Sequence, residues 1–485
     1  MTFMTYVTAE APAPALDDHA PAGPRIAIIG AGGFVFPFRL IGDLISFPAL
    51  RGATLALMDI DPGRLDRVAT AARRLVDHHG FPTVVEQTTD RREALRDADV
   101  VIITFQVGGI DSYRHDVEIP RRHGIDQAVG DTLGPGGVFR FLRSVTAYEA
   151  IAEDAVELCP DAQFINYANP MAMATAYLNA RGLRTVGLCH SVQGTTRMLA
   201  RTLGVPYDEV TFTSAGINHQ AWILSFRRGD EDLYPRLRDV MGGRHQRGRA
   251  ASSLTADDGD HSGEAEAASD YEGGNEQVRT AIMQTFGHFQ TESSHHASEY
   301  LPYFRKNPEL VEEYIPSRWD YFEICAAHDA SGDLGDQLAE LKAELKPSLE
   351  YGAIIVNSMI TGEPAVVHGN VPNSDAGFAP GAQGSVITNL PAAACVEVAC
   401  LVDGAGLRPT RFGDLPPQLA AVNRTNVNVQ ELAVRAALEG SREHVHHAVA
   451  LDPLTAALLT VEEIHQMTEE LLDAHAELLP ETLRS

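Results

Sequence analysis

The chain has 485 residues, more than one compact core usually holds, so two packed units are expected. Acidic side chains outnumber basic ones by 66 to 38, and the formal charge of −28 excludes the electrostatic footprint of a nucleic-acid or anionic-membrane binder. Five cysteines are too sparse for a disulfide framework, and no apolar run is long enough to span a bilayer, so a reducing, cytoplasmic setting is expected.

Residues 1–24 are rich in alanine and proline and read as a disordered extension without a secretory signal. Ordered structure begins at Arg25-Ile26-Ala27-Ile28-Ile29, an apolar run stopped by glycine, as a strand buried on both faces reads. Similar runs follow at 54–58, 100–104, 164–167 and 185–188, with helical periodicity at 64–78 and 139–158 between them. This alternation predicts an α/β fold whose residues 25–195 form a Rossmann-like, doubly wound parallel sheet of the lactate/malate dehydrogenase kind. Past residue 195 the rhythm changes. Strand-like runs at 210–214 and 221–226 flank a turn, and helical signals return at 334–345, 431–439 and 461–479. Residues 196–485 therefore read as a mixed α+β catalytic domain. Residues 244–275, rich in Gly, Ser, Ala and acids, read as a mobile loop, and 372–384 as a second loose segment.

Directly after the first strand comes Gly30-Ala31-Gly32-Gly33-Phe34-Val35. Glycines at a strand-to-helix turn let backbone N–H groups approach a pyrophosphate. Val35 replaces the third glycine of the usual fingerprint, so the turn is weak on its own. The second strand ends in Met58-Asp59-Ile60-Asp61, and an acid there can hold the adenosine ribose hydroxyls while repelling a 2′-phosphate. Gly30, Gly32, Gly33 and Asp59 are thus candidate NAD ligands. An ordinary βα turn with an acidic cap is the bland alternative.

Cys189 ends a predicted parallel strand, where ligand sites of open α/β sheets lie, and His219 occupies a turn between two predicted strands. A thiolate and an imidazole can hold a divalent transition metal and leave positions open for substrate. By spacing alone, a buried apolar cysteine and a structural histidine explain the same residues. His190 is a candidate acid or base, or a packed residue at a helix start.

Cys189-His190-Ser191-Val192, extended by Gln193-Gly194-Thr195, resembles the signature of the α-galactosidases of glycoside hydrolase family 4. Further matching segments are Gly30-Ala31-Gly32, Leu57-Met58-Asp59-Ile60-Asp61-Pro62, Asp131-Thr132-Leu133-Gly134-Pro135-Gly136-Gly137 and Asn166-Tyr167-Ala168-Asn169-Pro170-Met171. Ala215-Gly216-Ile217-Asn218-His219, Thr291-Glu292-Ser293-Ser294, Thr361-Gly362-Glu363-Pro364 and Val396-Glu397-Val398-Ala399-Cys400 also fit, so the resemblance runs from about residue 25 to 479. It implies a glycosidase that uses NAD and a divalent metal, Mn²⁺ by preference, in an oxidation, elimination, addition and reduction sequence on α-galactosides. This family is a named exception to two-carboxylate glycoside hydrolysis. The resemblance makes Cys189 and His219 the metal ligands and Asn169 a contact to substrate and nicotinamide. Asp131 and His190 become substrate contacts, and His190 and Tyr300 the catalytic acid and base. Another α-glycoside (a glucoside, a galacturonide or another anionic sugar) remains a rival substrate. A 2-hydroxy acid dehydrogenase and a non-catalytic NAD sensor are rival functions, against which the Cys-His-Ser-Val tetrad stands. The partners implied are a small glycoside and a second copy of the chain, as a homodimer or homotetramer.

Overall fold

The computed structural model describes residues 23–33, 36–251, 276–331, 334–374 and 384–484. The expected N-terminal extension (save residues 23 and 24), Val35, residues 252–275 of the expected loop and 375–383 of the second loose segment lie outside them.

Six strands form the parallel half: β1 (Arg25–Ile29), β2 (Thr54–Met58), β3 (Val84–Thr88), β4 (Val100–Ile103), β5 (Gln163–Asn166) and β6 (Thr185–Gly187). Their spatial order is β3-β2-β1-β4-β5-β6, as expected for a doubly wound sheet. Ile28 pairs with Leu57 on one side and Ile102 on the other, so the chain changes direction between β1 and β4. A crevice opens beyond the carboxyl ends of strands at such a switch point. Strand β3 had no counterpart in the sequence reading. It is the sheet edge, its Val-Val-Glu-Gln-Thr run is mostly solvent-facing, and such a strand lacks the apolar run that marks its buried neighbours.

The second half is antiparallel. Strands β7 (Val210–Ile217) and β8 (Gln220–Arg228) form a hairpin whose turn is Asn218-His219. The short β9 (Glu231–Asp232) pairs with β8, and β10 (Phe289–Gln290) extends the edge beyond β8. Strands β11 (Ala365–Pro372) and β12 (Cys395–Asp403) pair with each other, β12 also pairs with β7, and β13 (Gly406–Pro409) pairs with β12. Strand β11 reaches β6 at Asn370↔Gly187, which makes one continuous 13-stranded sheet among the described residues.

Helices cover both faces, because strands with inward side chains on each side must bury both. The helix Pro62–His79 starts where Asp61 accepts hydrogen bonds from Gly63 and Arg64 N–H, at 2.8 and 2.9 Å, and stops at Gly80 in the left-handed region (φ 66°). Residues 244–251, expected to open the loop, instead complete the helix Tyr234–Ala251. The helix expected over 461–479 ends at Ala474, with His475 as its cap. No helix of the described residues is long and apolar enough to cross a membrane.

The long helix Pro417–Glu439 ties the halves together, packing on the helices Gly134–Leu158 and Met171–Ala180 and on β7. Its Asn423 accepts from Trp222 Nε1 at 3.1 Å and donates to Gln220 O at 2.8 Å, inside a fully buried contact. Replacing Trp222 by Phe leaves a cavity and an unsatisfied buried carbonyl, so urea unfolding should register a loss of about 2–3 kcal/mol.

Candidate active site

The glycine turn closes over the end of β2. Gly30 and Ala31 N–H both donate to Met58 O at 2.9 Å, and Gly30 adopts φ 90°, with a would-be Cβ only 2.7 Å from Phe105. Gly32 N–H donates to Asp59 Oδ2 at 2.9 Å, while Asp59 Oδ1 accepts from Asp61 N–H. A Cβ on Gly32 would lie 2.8 Å from that carboxylate, and one on Gly33 would stand 3.3 Å from Gly30 O, so the turn is a cradle that side chains would fill. Gly30, Gly32, Gly33 and Asp59 thus meet at the switch point, ahead of the helix Pro37–Ser46. This is the place where an open parallel sheet binds a dinucleotide.

Two residues beyond β6, Cys189 Sγ lies 3.2 Å from His219 Nε2, which arrives on the β7–β8 turn. Glu292 Oε2 completes a triangle, 3.9 Å from the sulfur and 3.6 Å from the same imidazole nitrogen. Donors bound to one ion at about 2.0–2.3 Å sit roughly 3.0–3.7 Å apart when adjacent; the two separations from His219 fall in that range and the Cys189–Glu292 separation just above it, so the residues fit a divalent transition metal with a small closing movement. Glu292 is carried there by β10: Thr291 N–H donates to Ala221 O, Thr291 Oγ1 accepts from Ala221 N–H, and Gln290 Nε2 donates to His219 O. His219 (φ 60°) and Glu292 (φ 68°) both hold the left-handed region, which side-chain-bearing residues rarely adopt. Burial keeps His219 neutral, its pKa lowered to about 4. Burial would raise the pKa of Glu292, but the imidazoles of His296, His219 and His190 outweigh it and hold the carboxyl at about 2. Burial, with Glu292 and Glu397 nearby, pushes the Cys189 thiol well above its usual range.

Around this triangle stand the candidate substrate groups. Asn169, at the end of β5, donates to Asp131 Oδ2 at 3.0 Å, and Thr132 Oγ1 donates to Asp131 Oδ1 at 2.7 Å. The loop bearing Asp131 is held by a residue the sequence reading gave no role, Glu299. Its buried carboxylate accepts from the N–H groups of Ala128, Val129 and Gly130 and from Gln127 Nε2, at 2.6–3.0 Å. Arg140 Nε donates to Asn169 O at 3.3 Å, and its guanidinium lies 5.0 Å above the Tyr113 ring. His190 caps the start of the helix Ser191–Leu203, and its Nδ1 sits 3.2 Å from Glu350. Burial opposes charge on His190, but Glu350 outweighs it and raises its pKa to about 9. The segment carrying Glu350 is docked by Asp43, which accepts from Ser348 N–H and Oγ, and by Gly352 N–H donating to the Tyr167 hydroxyl.

Tyr300 is buried, its ring 6.3 Å from that of His219, and its hydroxyl has no hydrogen-bond partner among the described residues. Burial first, then Asp131, Glu292 and Cys189, push its pKa well above 10. Glu292, Glu299 and Glu350 were not singled out as site residues, and no local spacing marks them, because each reaches the site through a distant pairing. Glu292 alone had a signal, its place in the Thr291-Glu292-Ser293-Ser294 segment.

The chain matches the model described as family 4 glycosyl hydrolase over residues 25–205, and that of the family 4 glycosyl hydrolase C-terminal domain over residues 214–455. It is 38% identical over 463 residues to an α-galactosidase of Bacillus subtilis (strain 168), covering 94% of this chain and 99% of that one. It is 34% identical to an α-galactosidase of Rhizobium meliloti (strain 1021), covering 94% and 89%. An α-galacturonidase of Thermoanaerobacterium saccharolyticum is 28% identical, covering 92% and 95%. Among solved structures, a Bacillus subtilis protein described as a glucosidase superposes with TM-score 0.76 at 25% identity, covering 93% of this chain and 99% of the other. A 6-phospho-α-glucosidase from gut microorganisms, solved with NAD and Mn²⁺, superposes with TM-score 0.70 at 21% identity, covering 95% and 99%. Matched by the family models along both halves of the chain, this protein belongs to glycoside hydrolase family 4.

Proposed function

We propose that the chain hydrolyses α-galactosides with NAD and a divalent cation, Mn²⁺ by preference. The observation that carries this reading is the meeting of a dinucleotide cradle (Gly30, Gly32, Gly33, Asp59) and a Cys189–His219 donor pair at the same end of one sheet. The α-galactosidase relatives at 38% and 34% identity support the sugar.

Expelling the aglycone from C1 by elimination requires loss of the C2 proton, which is acidic only beside a carbonyl at C3. NAD, when bound, supplies reversible hydride exchange at C3, and the cation, held by Cys189 and His219, supplies Lewis-acid stabilisation of neighbouring oxygen charge. The protein does the rest. Tyr300 is the proton acceptor for C2, since its hydroxyl is buried, unpaired among the described residues and beside His219. The anions that hold its proton in place are those that a cation at Cys189 and His219 would offset. Asp131 offers an acceptor and Asn169 a donor to sugar hydroxyls, and Asn169 would also contact the nicotinamide when NAD is bound. His190, steadied by Glu350, donates to substrate oxygen as the acid. In the same reading residues 25–195 bind the dinucleotide, residues 196–485 supply the substrate side, and the protein is a cytoplasmic homodimer or homotetramer, in line with the frequency of closed symmetric assemblies.

Hydrolysis of p-nitrophenyl α-D-galactopyranoside by reduced protein should require both added NAD⁺ and Mn²⁺ after stripping, with NAD⁺ needed only in catalytic amount. Turnover of a glucoside or uronide alone, under the same requirement, would overturn the sugar. Activity untouched by removal of both would overturn the mechanism. Tyr300→Phe should cut kcat about 10²–10⁴-fold, the usual worth of a positioned base, with NAD affinity unchanged by fluorescence titration. Gly32→Ala, whose methyl would crowd Asp59, should weaken NAD binding by about tenfold or more, some 1.4 kcal/mol, while leaving Mn²⁺ affinity intact.

A further inference from the structure

Glu292 occupies a costly position. Its carboxylate is buried, its backbone sits in the left-handed region at φ 68°, and the residue arrives from a different element than Cys189 or His219. Strain of this kind persists only where the surroundings over-determine it, and it gathers at ligand sites. The nearest groups are sulfur and imidazole: Cys189 Sγ at 3.9 Å, His219 Nε2 at 3.6 Å and His296 Nδ1 at 3.5 Å. His296 Nδ1 is already engaged with Ser293 Oγ at 2.9 Å. A cation shared by these groups would engage the buried carboxylate directly.

We propose that Glu292 is the third protein ligand of the divalent cation, so that Cys189, His219 and Glu292 form one ligand set. The inference rests on the metal-dependent reading above. The three contacts close a triangle through the same three atoms, Sγ, Nε2 and Oε2, which is what one shared ion requires. None of the separations reaches the roughly 4.2–4.5 Å expected of donors on opposite sides of an ion, so the three would leave coordination positions free for substrate hydroxyls and water. The donor set also bears on which metal binds. Thiolate and imidazole alone suit zinc, whereas an added carboxylate moves the preference toward a harder ion such as Mn²⁺. Thiolate and carboxylate together neutralise a divalent charge, so the loaded site buries no net charge.

The competing role for Glu292 is an ion pair that only steadies His296. Mn²⁺ binding, followed by loss of the free-ion EPR signal, separates the two on the full chain and its Cys189→Ser, Glu292→Gln, Glu292→Asp and His296→Gln variants. NAD affinity measured on each variant reports whether the fold persists. Glu292→Gln should weaken Mn²⁺ by about 100-fold or more, since losing a group that merely supports a ligand already costs about 10–100-fold. His296→Gln should weaken it by less than about tenfold. Affinity in Glu292→Gln within about threefold of the wild type would overturn the assignment, and so would equal losses in Glu292→Gln and His296→Gln. If Glu292→Gln no longer binds NAD, Glu292→Asp decides: a loss of about tenfold or more in Mn²⁺ affinity supports the assignment, and wild-type affinity overturns it. A wild-type chain that takes up no Mn²⁺, or uptake that survives Cys189→Ser, would instead overturn the metal-dependent reading itself.

Discussion

The junction between β6 and β11 is the constraint on which the site depends. The parallel and antiparallel halves become one sheet through a single register pair, Asn370↔Gly187. The strands approach closely enough to demand glycine at Gly369, and the helix Met171–Ala180 packs as closely on Gly187. A Cβ on Gly187 would stand 2.5 Å from Met171 Sδ, and one on Gly369 would stand 2.7 Å from Val186 Cγ2. Asn370 Nδ2 reinforces the seam by donating to Gly187 O and to Glu397 Oε1, both at 3.3 Å. Cys189 leaves the sheet two residues past this seam, and His219 turns at the end of β7, one strand beyond β12. The distance between thiol and imidazole is therefore set by backbone pairing in the sheet, and side-chain freedom has little part in it. A rigid scaffold of this kind holds reacting groups more reliably than loops do.

That rigidity explains why the site can carry unfavourable features. Two residues with positive φ and a tyrosine hydroxyl with no partner among the described residues each oppose folding. They cluster at one point, and the surrounding elements are well satisfied: Glu299 uses its carboxylate on three backbone amides, and Asn423 bridges Trp222 and Gln220. The stable surroundings offset a locally strained centre. The anionic neighbours that hold the proton on Tyr300 are the same ones that a cation would offset, so in the proposed mechanism the strength of this base would depend on metal occupancy.

The sequence made the parallel half legible because its inner strands are apolar on both faces and its turns carry glycine and acid at the positions a dinucleotide needs. The edge strand β3 escaped, since Val84-Val85-Glu86-Gln87-Thr88 has the exposure of a loop. The antiparallel half was seen only in part. The β7–β8 hairpin shows its turn, but β11 and β12 are joined across more than twenty residues, and their pairing leaves no local mark. The same distinction runs through the site. Cys189 and His219 drew notice by position and by the family resemblance, although their spacing alone said little. Glu292 depends on β10 adding to β8, Glu299 on a loop 170 residues earlier in the chain, and Glu350 on the Asp43–Ser348 bond, all contacts made by tertiary closure.

The central claim is that the glycosidic bond breaks by elimination across C1 and C2, with a protein base removing the C2 proton. The most direct measurement is hydrolysis of an α-galactoside in D₂O by NAD- and Mn²⁺-loaded protein, with the released galactose read by NMR at C2. Deuterium at C2 of the product, absent from substrate kept without protein, is the expected result. Galactose released with its C2 hydrogen fully retained would contradict the account, because direct displacement at C1 leaves that hydrogen in place.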